Sequence, residues 1–193
     1  MDLRGRLART SGVVTATAGP ITARHELARD ERRLIADAAD GSIAAVEELY
    51  RRHWRPAYRA AYLIARDASA AEDIAQEALL AALQRLERFD RARPFAPWLH
   101  RIVANRALDF ARARALRQTT SAGEPACEDP APLDDTLLAA LGTLTLDHRA
   151  VVVLRYLLDY TPGEIATMLE LPRGTINSRL RRALDALAEV VER

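Results

Sequence analysis

Lysine is absent from this chain; all 28 basic residues are arginine, so the choice of arginine at any one position carries little information. Cysteine occurs once, at Cys127, which rules out an intrachain disulfide and makes a reducing compartment the simplest setting. The four histidines, at 25, 53, 100 and 148, lack partners at metal-ligand spacing, so no metal and no cofactor is assigned. No nucleophile, metal or phosphate-loop constellation appears, which argues against an enzyme. Aromatics make up only 5% of residues, and glycine and proline are sparse outside a few places, which argues for an all-α fold. No apolar run approaches transmembrane length, and the N-terminal S-G-V-V-T-A-T-A-G-P stretch is too small and polar for a secretory leader. A soluble cytoplasmic protein is expected.

What is present is apolar residues, at 49% of 193, enough to bury a core in one medium domain or two small ones. The net charge of +1 argues against a uniformly sticky nucleic-acid coat, but charge is unevenly distributed. Residues 85–117 carry nine arginines against Glu87, Asp90 and Asp109, whereas residues 118–136 carry no arginine and five acids. Any anion site should therefore be local.

Residues 1–25 mix Gly, Thr, Ala and Pro without period and are expected to be disordered. A helical pattern starts at Glu26, with Leu34, Ile35 and Ala38 inward, and Asp40-Gly41-Ser42 supplies a stop and an N-cap. A second helix is predicted over 43–65, its stripe including Leu49, His53, Trp54 and Ala57, with Pro56 inside it. On that stripe His53 and Trp54 read as core. A third helix is predicted over 70–88, with Ile74, Ala78, Leu79 and Ala82 inward and an acidic first half. Those acids suit the helix dipole, or equally a docking surface for a basic partner.

Residues 89–95, F-D-R-A-R-P-F, form a loop combining Phe89 and Phe95 with Arg91 and Arg93, a plausible wall for an unstacked base. The helix that follows, from about 95 to 112, is about 27 Å long and has two unlike faces. Leu99, Val103 and Phe110, with Ile102 at the seam, can enter a core. Trp98, Arg101, Asn105, Asp109 and Arg112 recur along another side, offering a stacking plane, guanidinium groups for phosphates and an amide for base edges. A bundle helix with a half-buried Trp and a solvated Arg face fits the same residues.

From Gln118 to Pro132 the chain has three Pro, one Gly and no large apolar residue, and reads as a flexible acidic linker with Cys127 incidental in it. The second unit starts near Leu133. Within it Thr161, Pro162 and Glu164 make a capping box, and Glu170-Leu171-Pro172 makes a tight turn. The next helix buries Ile176, Leu180, Ala183 and Leu187. This is a helix-turn-helix pattern, whose second helix enters the major groove. Its exposed half carries Arg173, Thr175, Asn177, Ser178, Arg179, Arg181 and Arg182, residue types suited to phosphate contact and base-edge readout.

Three stretches in this order carry a resemblance: A-E-D-I-A-Q-E at 71–77, P-F-A-P-W-L-H-R-I-V-A-N-R-A-L-D-F-A-R at 94–112, and Y-T-P-G-E-I-A-T-M-L-E-L-P-R-G-T-I-N-S-R-L-R-R-A at 160–183. Together they resemble the extracytoplasmic-function (ECF) group of the bacterial sigma-70 family of RNA polymerase sigma factors. The resemblance implies a disordered extension over 1–25, sigma region 2 over 26–117, a linker over 118–134 and sigma region 4 over 135–193. It implies that Asp73, Gln76 and Glu77 dock on core RNA polymerase. It further implies that Phe89, Arg91, Arg93, Phe95, Trp98, Arg101, Asn105 and Arg112 capture and hold open the minus-10 promoter element. The residues of the last helix, from Arg173 to Arg182, would read the minus-35 element. An anti-sigma factor is implied as a further partner. Leu79, Leu80 and Leu83 stand where the family commonly has aromatics, Asn177 where a basic residue is frequent, and Glu170 where a turn glycine is common. A left-handed backbone at Glu170 would cost about 1 kcal/mol. The rival reading is a stand-alone helix-turn-helix repressor that binds duplex DNA.

Overall fold

A computed structural model of the chain describes residues 21–91, 93–117 and 135–191, and the described residues form eight α-helices and no strand. The first unit comprises α1 (Ile21–Ala39), α2 (Ile43–Ala65), α3 (Ala68–Leu83) and α4 (Phe95–Arg117), with a short 3-10 turn at Leu86–Arg88. The second comprises α5 (Asp135–Thr143), α6 (Leu146–Val152), α7 (Pro162–Leu169) and α8 (Arg173–Val191). Residues 1–20, Ala92 and the linker with Cys127 lie outside the described residues.

Most boundaries follow from local chemistry. Ser42 caps α2 by accepting from the Ala45 amide, and Asp67 caps α3 by accepting from the Ala70 amide at 3.0 Å. The capping box of α7 closes from both sides: Thr161 N donates to Glu164 Oε2 at 2.7 Å, and Glu164 N donates to Thr161 Oγ1 at 3.3 Å. That engagement holds the Glu164 carboxyl below the usual range.

Three differences from the expected elements have physical reasons. α1 begins at Ile21, so residues 21–25 are helical rather than disordered. α3 begins two residues earlier than expected because Asp67 is its cap, and it ends at Leu83 instead of continuing to Arg88. Gln84 and Arg85 donate back to carbonyls of the last turn, and Leu86–Arg88 tightens into a 3-10 turn that redirects the chain toward the loop.

Among the described residues, three other than glycine have left-handed backbone: Arg66 (φ 55°), Asp159 (φ 57°) and Glu170 (φ 55°). Each such residue costs about 1–2 kcal/mol, and Arg66 and Glu170 terminate α2 and α7 with a backbone bond to the preceding turn. The left-handed turn at Glu170 is the one the sequence requires for a helix-turn-helix. Between Val152 and Asp159 the α6 helix widens into a π turn over Val153–Leu157, closed by Leu158 N to Val153 O at 3.2 Å. That widening delivers Tyr160 into the interior.

The core runs continuously through both units. Leu49, Ile64, Leu79, Phe95 and Leu99 of the first unit and Leu141, Leu154, Ile165, Ile176 and Leu187 of the second are essentially inaccessible and belong to one apolar cluster. α2 and α4 are the elements of the first unit that pack on the second, against α6 and α7. Thr161→Ala removes the cap of α7 and is expected to lower the unfolding free energy by about 1 kcal/mol, read as a lower denaturant midpoint at unchanged slope.

Candidate nucleic-acid interface

The loop before α4 is built on a stack of rings. Phe95 is fully buried and meets Phe89 edge-on at 5.8 Å, Trp98 edge-on at 5.7 Å and the His53 ring at 4.9 Å. Phe89 and Trp98, both half-buried, lie 4.8 Å from each other. The expectation that Phe95 contacts a base is therefore corrected: with no accessible surface it is a platform, and Phe89 and Trp98 are the rings that reach the surface. His53 is core, as its stripe suggests, with Nε2 at 3.2 Å from the Glu31 carboxylate.

Phe89 and Trp98 line a cavity of about 620 Å³ together with Arg85, Arg88, Arg93 and Arg101. Its opposite wall is α7, through Glu164, Thr167 and Met168. Arg85 and Arg88 were not singled out from the sequence, though both fall within the arginine-rich stretch. Arg91 is exposed on the loop, Arg93 pairs with Asp90 at 3.3 Å, and Asn105 is half-buried farther along α4. Arg101 donates to Glu170, and Arg112 Nη2 approaches Asp147 Oδ1 at 3.4 Å. Both acids belong to the second unit.

On α8, Arg173, Asn177, Arg181 and Arg182 are exposed, while Thr175, Ser178 and Arg179 are half-buried. Ser178 Oγ donates to Thr175 O at 2.9 Å, and Arg179 Nη2 donates to Asp147 Oδ2 at 2.6 Å. The polar face expected of a reading helix is thus present, with its middle residues tied to their own unit. It is a second positively charged surface, separate from the ring cavity.

Asp73, Gln76 and Glu77 are exposed on α3. Asp73 and Glu77 line a groove of about 600 Å³ between α3 and α4, which Asp67 and Asp109 make acidic and Arg106 partly neutralises by donating to Glu77. Leu80, 47% exposed, lies one turn beyond on the same face as Asp73, Gln76 and Glu77. The apolar residue in an acidic row was visible in the sequence as a run at three- and four-residue spacing.

Where the units meet, His100 of α4 is buried and its Nδ1 is 2.7 Å from the Tyr160 hydroxyl, while its Nε2 has no hydrogen-bond partner among the described residues. Burial, with a smaller contribution from His53, pulls its pKa down from the ordinary 6.5 to about 4. Burial likewise pushes the Tyr160 hydroxyl up, with Glu164 and Glu31 adding to it.

A ring-lined basic cavity, an acidic groove and a helix-turn-helix with an arginine-rich outer face on one chain are the parts that a two-unit DNA-binding protein would carry. Residues 49–117 match the family described as Sigma-70 region 2, and residues 134–187 match Sigma-70, region 4. The ECF RNA polymerase sigma factor SigL of Mycobacterium tuberculosis is 36% identical over 163 residues, covering 79% of this chain and 92% of the relative. SigM of the same organism is 33% identical, covering 87% of each chain. The solved structure of CnrH in complex with the cytosolic domain of CnrY superposes with a TM-score of 0.64 at 28% identity, covering 84% of this chain and 97% of that one. The chain belongs to the ECF group of the sigma-70 family, which sets aside the stand-alone repressor reading.

The sign of the His100 shift makes a prediction. The folded pKa lies below the unfolded one, so the unfolded chain binds the extra proton, and stability falls as pH drops from about 6.5 toward 4. The slope from this group is at most about 1.4 kcal/mol per pH unit, and His100→Gln should flatten the melting temperature measured across that window.

Proposed function

We propose that this sigma factor gives core RNA polymerase its promoter specificity by binding alone, acting in the cytoplasm and contributing no catalysis of its own. The observation that carries the reading is the order on one chain of an acidic groove, a ring-and-arginine cavity and an arginine-faced helix-turn-helix. Residues 26–117 then act as region 2 and residues 135–193 as region 4, joined by a linker over 118–134. Asp73, Gln76, Glu77 and the exposed Leu80 dock on the polymerase. Acids surrounding a single exposed leucine suit a basic, partly apolar helix.

Phe89 and Trp98 hold a base extruded from the minus-10 element, while Asn105 reads a base edge and Arg91, Arg93, Arg101 and Arg112 neutralise the strand. Phe95 supports them from below. Arg173, Asn177, Arg181 and Arg182 contact the minus-35 element first, being exposed, with Thr175, Ser178 and Arg179 completing the face. Extruding bases costs a few kcal/mol each, and a pocket that stacks them offsets that cost.

The CnrH structure is a complex with the cytosolic domain of CnrY, and that of RpoE from Bartonella quintana is a complex with the anti-sigma factor NepR; the second, at 22% identity, supports the fold alone. By analogy with the first, this chain is held by an anti-sigma protein. Purification of the tagged chain from its host should yield such a partner, and recovery with polymerase alone under every growth condition would reject this part.

Reconstituted transcription with core polymerase and genomic promoter fragments should show specific initiation; failure on every fragment would reject the function. On a fragment that responds, Asn105→Ala should reduce permanganate reactivity of the opened strand about tenfold, the equivalent of one base-edge contact. Polymerase binding should be retained. Equal loss of both would make Asn105 structural.

A further inference from the structure

The ring cavity of about 620 Å³ falls within the roughly 300–1,000 Å³ of small-molecule sites, a size that suits one nucleotide rather than a strand. Its lining combines two chemistries. Phe89 and Trp98 already touch at 4.8 Å, so a planar ligand rests against them and not between them. On the opposite wall is Met168 of α7, buried, whose thioether is a polarisable partner for an aromatic ring. The other component is cationic. Arg88 N donates to Arg85 O at 3.0 Å, closing the 3-10 turn, and residues three apart on such a turn lie one above the other. Both residues are exposed and line the cavity. Among the described residues neither guanidinium is paired with an acid, whereas Arg93 is paired with Asp90 and Arg101 with Glu170. Two like charges on one turn repel, and a polyanion with bidentate oxygens removes that repulsion. Asp90 and Glu164 also line the cavity, Glu164 Oε2 accepting from Thr161 N and Oγ1, each at 2.7 Å. These carboxylates repel a simple aromatic acid but accept from the hydroxyl and amino groups that a sugar and a base carry.

We propose that this cavity binds a free nucleoside triphosphate, with the base on Phe89 and Trp98 against Met168 and the phosphates on Arg85 and Arg88. This rests on the reading above that Phe89 and Trp98 stack a base, and it adds a ligand that is neither promoter nor polymerase. A nucleotide in the cavity takes the rings that an extruded base needs. Access of the chain to single-stranded DNA then depends on nucleotide concentration.

The test titrates ATP into the full-length chain by calorimetry at about 0.1 M salt, with adenosine and tripolyphosphate as partial ligands. ATP should bind about tenfold more tightly than either, because base and phosphates use different parts of the lining. R85Q/R88Q should weaken ATP about tenfold. R33Q/R51Q, which removes the same charge at exposed positions of α1 and α2 outside the cavity lining, should leave it unchanged. Phe89→Ala should also cost about tenfold for ATP while leaving tripolyphosphate as it was. ATP should displace a labelled single-stranded oligothymidylate of about 20 bases, followed by anisotropy. The proposal is overturned if ATP does not bind, if adenosine or tripolyphosphate binds as tightly, if R85Q/R88Q binds ATP normally, or if R33Q/R51Q loses as much. Promoter-dependent transcription is assayed in parallel. If it fails on every fragment while ATP binds as described, the sigma reading falls and the nucleotide site stands; if it succeeds and ATP does not bind, this proposal alone falls.

Discussion

Two guanidinium groups at the end of α2 hold the molecule in its observed arrangement. Arg149 of α6 donates through Nε to the carbonyl of Ile64 at 3.1 Å, in the last turn of α2, where carbonyls lack helical partners and the helix dipole favours a cation. Arg66, turned outward by its left-handed backbone, donates to the carbonyl of Leu138 in α5. Gly142 makes room for it: a Cβ there would lie 3.2 Å from the Arg66 guanidinium. Each unit thus inserts a cation into the other. The arrangement has an electrostatic cost, since burial and then the charge of Arg66 lower the pKa of Arg149 to about 10, but Arg149 remains charged near neutrality. From that anchor the positions of α6 and α7, and hence the cover over the ring cavity, follow.

The second constraint is that one helix serves as core and as the proposed site. α4 buries Phe95, Leu99, Val103, Ala104 and Ala107 against α2 and α3, and the same 23 residues carry Trp98, Arg101, Asn105 and Arg112. A site on a helix whose other side is fully packed has little freedom to shift, which suits the positioning of a base within a cavity. It also explains the ring stack: Phe95 cannot leave the core, so it fixes the height at which Phe89 and Trp98 emerge.

Local features were legible in the sequence because their causes are local. The capping box at Thr161, the limits of α2 at Ile43 and Ala65, the inward faces of α3 and α8, and the left-handed turn at Glu170 all depend on residues within a few positions of one another. Phe95 was misread because an aromatic in a basic loop looks the same in sequence whether its ring faces out or in; what buries it is His53, far earlier in the chain. The partners of Arg66, Arg101, Arg112 and Arg149 were illegible for the same reason, since each lies across the linker and no periodicity records it. In a chain whose every cation is arginine, residue type could not mark which ones would be used between units.

That uniformity bears on how the protein works. A guanidinium fork accepts a carbonyl, a carboxylate or a phosphate with similar geometry, whereas an ammonium is a more strongly hydrated point charge. The same side chains can therefore be satisfied inside the free chain and again on DNA, without leaving unpaired cations in either state. With a net charge of +1, neither DNA surface attracts a duplex strongly by itself, so affinity must come from joining both units to one large partner. On the proposed reading, in which the first unit docks through its acidic groove, the tether turns the second contact into an intramolecular one, and modest contacts then suffice. A chain with strong separate surfaces would be drawn to nonspecific DNA; weak surfaces, partly satisfied by each other, favour the complex in which both are engaged.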